Sequence, residues 1–377
     1  MQSFENYNII LINLDGLRED KVDSCDALHA MKNDNIYFSN MITVSPYTLA
    51  SHHSIISGLY PSQHGVDAYH HMFKFKKDEI TTLPELLKQA NYFTQCDCQL
   101  ETLMTKKGFD KYETFDEHSV DYKKRYQEIL KDISKHKKFF LFLQYSQFHT
   151  SLVKDVVKDS NDDEYYENVK QNEKRFEKNI PDCSDVINTI MSTLNELKIL
   201  DNTILIILSD HGTSFGEKKG EKFYGTFVYD NTIKCFCLLC IPNFTQKNIT
   251  HQCANIDIFP TIAEIAGLSS NYVSKDLMGK SLFNMINQEE NVDREVFVET
   301  GGLYGPWPSP KKHNVFCIRK NNKKLIYNST PNTWEFYDLA SDPRELQNLY
   351  DESSEIISSY KERLLYYFQK NQIDIDF

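Results

Sequence analysis

Four continuous apolar runs restrict what this chain can become: YNIILINL at 7–14, KKFFLFLQY at 137–145, NTILIILSD at 202–210 and KCFCLLCIP at 234–242. Each has the length of one strand and is far too short to cross a membrane as a helix. None alternates apolar with polar residues, so both faces of such a strand must be covered by protein. The covering elements stand between the runs. TLPELLKQA at 82–90 opens on a threonine capping signal, and DVINTIMSTLNELKIL at 185–200 spaces its apolar residues as a helix does. IDIFPTIAEIAGL at 256–268 has proline near its start and glycine near its end. Strands alternating with helices predict an α/β chain: a central, mostly parallel sheet flanked by helices.

Beyond GKSL at 279–282 the pattern changes. VFVET, NVFCIRKN and KKLIYNS are short strand-like runs divided by polar turns, and SSEIISSYKERLLYYFQ reads as a closing helix. A small antiparallel C-terminal subdomain is expected, dividing the chain into 1–290 and 291–377. The 377 residues, 40% of them hydrophobic, supply core enough for both parts. The highly charged stretch 152–180 predicts a solvated helix or a mobile flap.

A formal charge of −12 argues against a nucleic-acid partner. The first twenty residues carry no basic leader, and no window reaches eighteen apolar residues, so neither a signal peptide nor a membrane span is expected. Nine cysteines, an odd number, read as reduced thiols in a cytoplasmic protein. Cys235, Cys237 and Cys240 fit a buried strand better than a zinc site, because no partner CxxC follows.

Two of the runs end in acids. NIILINLDG delivers Asp15, and TILIILSDHG delivers Asp210 and His211. A carboxylate leaving a buried strand is costly unless it meets a cation or a donor, and two acids with an imidazole suit a divalent metal. TVSPYTLASHHSIISGLYPSQHG at 43–65 adds a turn restricted by Pro46, several hydroxyls, and an apolar run ending at Gly58. A hydroxyl at such a helix start either caps the helix or sits at the positive end of its dipole ready for chemistry. For Thr48 and Ser51 the residues alone leave both open.

Taken in order, these segments resemble the sulfatase branch of the alkaline phosphatase superfamily, from the first strand to KKLIYNSTPNTWEFYDLASDPRELQNL. The resemblance implies an alkaline phosphatase-like fold with Asp15, Asp210, His211 and Thr48 around one divalent metal. Thr48 falls where sulfatases carry the cysteine that becomes formylglycine, in C-x-P-S-R. That pentad here reads Thr48-Leu49-Ala50-Ser51-His52. Threonine cannot become the aldehyde, so the expectation is hydrolysis of a phosphoester or phosphonate ester through a Thr48 covalent intermediate, with the metal lowering the pKa of the hydroxyl. Transfer to a glycan or lipid-head alcohol, sulfuric ester hydrolysis and a decayed binding protein are the alternatives.

By the same resemblance His149 assists the leaving group, and His52, in place of the motif arginine, orients the nucleophile turn. Lys222, Tyr224 and His70 are the substrate-contact candidates, with Tyr224 standing where relatives commonly place lysine or histidine. Ser51 is expected to cap the helix, His53 and His64 to be structural, and Lys311, Lys312 and His313 to form a solvated turn. Gly16 follows Asp15 where many sulfatases have a second aspartate, which favours Mn²⁺ or Zn²⁺ over Ca²⁺. The expected partner is a small-molecule or glycan-linked anionic ester.

Overall fold

Residues 4–375, other than 160–161, 269–276, 288–293 and 303–305, are described by a computed structural model. Each apolar run becomes a buried strand: β1 (Asn8–Leu14), β5 (Phe139–Tyr145), β6 (Thr203–Leu208) and β7 (Lys234–Cys240). β2 (Ile36–Ile42), β3 (Phe93–Cys98), β4 (Lys111–Thr114), β8 (Lys247–Ile249) and β9 (Cys253–Ala254) complete the sheet. Among the described residues its order is β4-β3-β5-β1-β6-β7-β2-β8, with β9 also on β2. β7 runs antiparallel to both neighbours and the other pairs are parallel. β1, β2 and β6 therefore end at the same edge, where loops leaving parallel strands gather.

The pleat of β1 divides the core. Ile10, Ile12 and Leu14 face a cluster shared with the helices Asp26–Asp34, Tyr122–Ile133 and Ile180–Glu196. Ile9 and Leu11 face the other side, with Leu83–Gln89, Ile258–Ile265 and the inner face of Thr48–Ser57. Each fully buried aliphatic side chain contributes about 1.5–3 kcal/mol, so the two layers fix the strand directions that carry the acids. The expected capping signal is real: the Thr82 hydroxyl and the Thr82 backbone N–H both donate to the Glu85 carboxylate. Cys235, Cys237 and Cys240 are buried strand residues, and the described cysteines are all free thiols.

A second, antiparallel sheet runs β10 (Val296–Thr300), β11 (Val315–Lys320), β12 (Lys323–Asn328) and β13 (Thr333–Asp338), closed by the helix Glu355–Lys370. One face packs Val298, Cys317 and Ile326 against Val44 and Ile256 of the first part, and the other sets Phe297, Phe316 and Phe336 against Tyr367, Phe368 and Tyr360 of the closing helix. The division expected near 290 falls within 288–293, outside the described residues. The 152–180 stretch contains helices, Asp162–Glu167 and Val169–Glu177 among them. They are docked rather than merely solvated: Tyr165 donates to the Ser214 carbonyl (2.6 Å), and Phe176 stacks on Phe148 (4.8 Å). No described helix is long and apolar enough to cross a membrane.

Candidate active site

β1 and β6 are parallel neighbours with Asn13 opposite Leu208, so the residues that follow each strand emerge side by side. Asp15, Asp210 and His211 each offer one ligand atom, all within 4.8 Å of one another, and all three residues are buried. Gly16 takes φ +74°, and its N–H donates to Asp210 Oδ1 at 3.3 Å. A Cβ there would stand 2.9 Å from Thr213 Oγ1, so the turn requires glycine and excludes the second aspartate of the sulfatase pattern.

The donor set fits a divalent cation. His211 Nδ1 lies 2.7 Å from the Gly212 carbonyl, which assigns the ring hydrogen to Nδ1 and leaves the Nε2 lone pair facing the acids. Asp210 Oδ2 is buried without a hydrogen-bond partner, an expensive state for a carboxylate oxygen that a cation relieves. Burial and the Asp210 charge push the Asp15 carboxyl up to about 8, against His211, Gln144 and Thr48. Burial also acts upward on Asp210, but His211 and His52 hold it below the usual carboxylate range. The pair thus shares one proton, in the place where a divalent ion would balance both charges.

The turn after β2 delivers Thr48 to this group as the first residue of the helix Thr48–Ser57. Its Oγ1 is 3.1 Å from His211 Nε2 and 3.3 Å from Asp15 Oδ1. That hydroxyl makes no capping bond; its hydrogen-bond partners are Asp15 and His211. Ser51 is a correction: it does not cap, because the helix starts three residues before it. Its Oγ donates to the Asp210 carbonyl (2.8 Å) and accepts from Asn255 (2.9 Å), tying the helix to the β6 end. His52 faces inward one turn along. Its Nε2 is 2.9 Å from the Asn13 amide nitrogen and 3.4 Å from Asp210 Oδ2, so it contacts a carboxylate of the acid–imidazole group.

His149, in the helix Gln147–Asp159, joins the group through Tyr224. The Tyr224 hydroxyl is 2.7 Å from His149 Nδ1, and its ring stands 4.3 Å from that of His211. Burial pushes the His149 imidazole down to about 4, with Glu117 and Asp210 pulling upward, so it is neutral at pH 7. Lys222 lies with its ammonium about 6.0 Å over the Tyr165 ring. His70 is exposed, 3.3 Å from Ser309 Oγ. His53 and His64 are buried on Leu49 and Ser54. Lys311 and Lys312 are exposed as expected, but His313 is buried, which corrects the solvated-turn reading.

Sequence reasoning missed two kinds of residue. Gln144 donates to Asp15 Oδ2 at 2.7 Å, and it pairs across the sheet with Asn13. The available signal was one amide near the end of each apolar run, where burial demands a partner. Glu221 is the other. It is fully buried, with Oε1 accepting from Thr226 (3.0 Å) and Phe227 (3.1 Å), and it braces the turn that carries Tyr224.

Burial pushes the Glu221 carboxyl up to about 8 from 4.5, against those two N–H groups. Between these values the native state holds a proton that the unfolded chain has released. Stability therefore falls as pH rises through the window, by up to about 1.4 kcal/mol per pH unit. Glu221→Gln is expected to remove that slope. Urea midpoints for both proteins across the window check it; parallel pH profiles would show that Glu221 is not a buried acid.

Residues 8–268 match the family model described as Sulfatase, and residues 220–370 match the one described as N-sulphoglucosamine sulphohydrolase, C-terminal. Similar curated proteins include a choline-sulfatase of Rhizobium meliloti, 28% identical over 185 residues, covering 48% of this chain and 34% of that protein. An N-acetylglucosamine-6-O-sulfatase of Bacteroides thetaiotaomicron is 29% identical over 199 residues, covering 50% and 34%. The matches thus span only 34% of the length of these relatives. Among solved structures, a 2-O GAG sulfatase superposes with TM-score 0.80 at 17% identity, covering 99% of this chain and 95% of its own. The phosphonate monoester hydrolase of Silicibacter pomeroyi superposes with TM-score 0.75 at 14% identity, covering 98% and 97%. These structural likenesses, at such identities, show the fold alone. Membership rests on the family match, which runs from the first strand past the Ile258–Ile265 helix: the chain belongs to the sulfatase family.

Proposed function

We propose that the chain is a metal-dependent hydrolase of sulfuric esters acting through Thr48. The observation that carries this is Thr48 Oγ1 lying within 3.3 Å of both Asp15 and His211 at the buried acid–imidazole group of a sulfatase-family chain. Threonine at this position had placed phosphoric esters first. The relatives named for choline and N-acetylglucosamine sulfate esters support the opposite order. The phosphonate monoester hydrolase likeness keeps phosphoester or phosphonate-ester cleavage as the second reading.

Asp15, Asp210 and His211 would hold one divalent ion. When bound, it supplies Lewis acidity that lowers the pKa of a neighbouring hydroxyl and offsets charge on the transferring group. Mn²⁺ or Zn²⁺ is proposed ahead of Ca²⁺, because Gly16 contributes no oxygen side chain. The Thr48 hydroxyl donates toward Asp15 Oδ1, so its proton has an acceptor. The Thr48 oxygen bonds to sulfur as the bond from sulfur to the leaving oxygen breaks. In the tautomer in which Tyr224 donates to Nδ1, neutral His149 carries its hydrogen on Nε2 and offers it to the leaving oxygen. Water then attacks sulfur, the Thr48–sulfur link breaks, the hydroxyl regains a proton and sulfate departs.

Aryl sulfate, aryl phosphate, aryl phosphodiester and aryl phosphonate ester, each with Mn²⁺, Zn²⁺ or Ca²⁺, separate the readings. Aryl sulfate is expected to give the highest kcat/KM. A higher value for a phosphorus ester would install the second reading. Metal binding without any turnover would point to a binding protein.

A further inference from the structure

The helix that begins at Thr48 lacks a capping side chain, and Tyr47 occupies its N-cap position in extended backbone. What holds that first turn comes from the second sheet. The Tyr47 hydroxyl lies 2.6 Å from His313 Nε2, and the His313 Nδ1 faces Glu299 Oε2 at 3.3 Å. All three side chains are buried. The carboxylate assigns the ring hydrogen to Nδ1, so Tyr47 donates its hydroxyl hydrogen to Nε2. Glu299 Oε1 accepts from the Ser62 N–H (2.9 Å), the Ser62 hydroxyl (2.8 Å) and Tyr367 (2.8 Å).

The backbone repeats the grip. Glu299 N–H donates to the Val44 carbonyl (3.0 Å), and the Ser45 hydroxyl donates to the Glu299 carbonyl (2.9 Å). One residue further along β10, Thr300 donates to the Gly225 carbonyl (2.5 Å), next to Tyr224. The end of β10 therefore holds the nucleophile turn on one side and the Tyr224 turn on the other.

We propose that Glu299, His313 and Tyr47 are positioning residues: a buried relay through which the second sheet sets the Thr48 turn for reaction. This rests on Thr48 being the nucleophile. None of the three need touch substrate. A misplacement of about 1 Å at the reacting atom costs on the order of 100-fold in rate, so loss of the hydroxyl that anchors Tyr47, the residue before Thr48, is readable in kcat.

Tyr47→Phe removes the O–H and keeps the ring against Tyr69 (5.4 Å). It is expected to lower kcat about tenfold or more with KM changed less than about twofold. Deuterium uptake in the peptide spanning 44–52 is expected to rise, with β11 and β12 unchanged. His313→Gln should behave alike, and the double variant should be no worse than the more severe single one, because both interrupt one relay. Unchanged uptake in folded Tyr47→Phe would overturn the relay. Raised uptake with wild-type kcat, where Thr48→Ala is inactive, would overturn its role in the reaction. Wild-type turnover in Thr48→Ala would instead remove the nucleophile reading, while the uptake measurement still decides whether the relay holds the turn.

Discussion

Thr48→Ala is expected to lower turnover of the preferred ester by about 10³-fold or more while leaving the fold intact. The two halves of this result come from one geometry. Thr48 Oγ1 points at His211 Nε2 and Asp15, and its hydroxyl caps nothing, so the helix does not depend on it. Thr48 is buried, and truncation deletes one methyl and one hydroxyl, a cost of about 1–2 kcal/mol that leaves the protein folded. Thr48→Ser keeps the oxygen and should retain a large share of the activity. Steady-state kcat/KM with a thermal melt on the same sample checks both halves. Wild-type turnover in the alanine variant would mean that water attacks the ester directly.

Asp210→Asn is expected to remove most of the stabilisation that a bound divalent metal gives the protein. Asp210 is fully buried beside Asp15, and its Oδ2 lacks a hydrogen-bond partner. The amide keeps the shape and the acceptor oxygen for the Gly16 and His211 N–H groups but removes the carboxylate charge and its second acceptor oxygen. Metal affinity should fall by about 100-fold or more, and the rise in melting temperature on adding Mn²⁺ or Zn²⁺ should shrink with it. Melting curves with and without metal, together with bound-metal analysis, read both effects. An undiminished metal-induced rise would exclude Asp210 as a ligand.

What was legible in the sequence followed from burial. β1, β5, β6 and β7 could be read because strands covered on both faces leave continuous apolar runs. Asp15 and Asp210 could be read because a carboxylate at the end of such a run needs a cation or donor. β2 was harder: Ser39 and Asn40 interrupt IYFSNMI, where the pairing with β7 shifts register. β13, in TWEFYD, pairs on one edge with β12 and is half exposed, so its pattern is weak.

The site was legible in its acid–imidazole group, Asp15, Asp210 and His211, and less so in what supports it. Gln144 hid inside the run FFLFLQY, and Ser51 looked like a cap because the helix start was not known to the residue. His313 follows two exposed lysines, and a local charge pattern cannot show that the third side chain turns inward to Glu299. The ester class lies further still from local sequence physics. Phosphorus and sulfur esters present similar tetrahedral anions, and Thr48 alone favoured phosphorus. The named relatives supplied the opposite weight.

The central claim is a covalent step on Thr48 with a sulfuric ester. It is tested most directly by rapid acid quench of metal-loaded protein turning over an aryl sulfate, followed by peptide mass analysis. The expected result is one added sulfuryl group on the peptide containing Thr48, present during turnover and absent once substrate is exhausted. Turnover of aryl sulfate with that peptide unmodified at every quench time, and undiminished in Thr48→Ala, would contradict it.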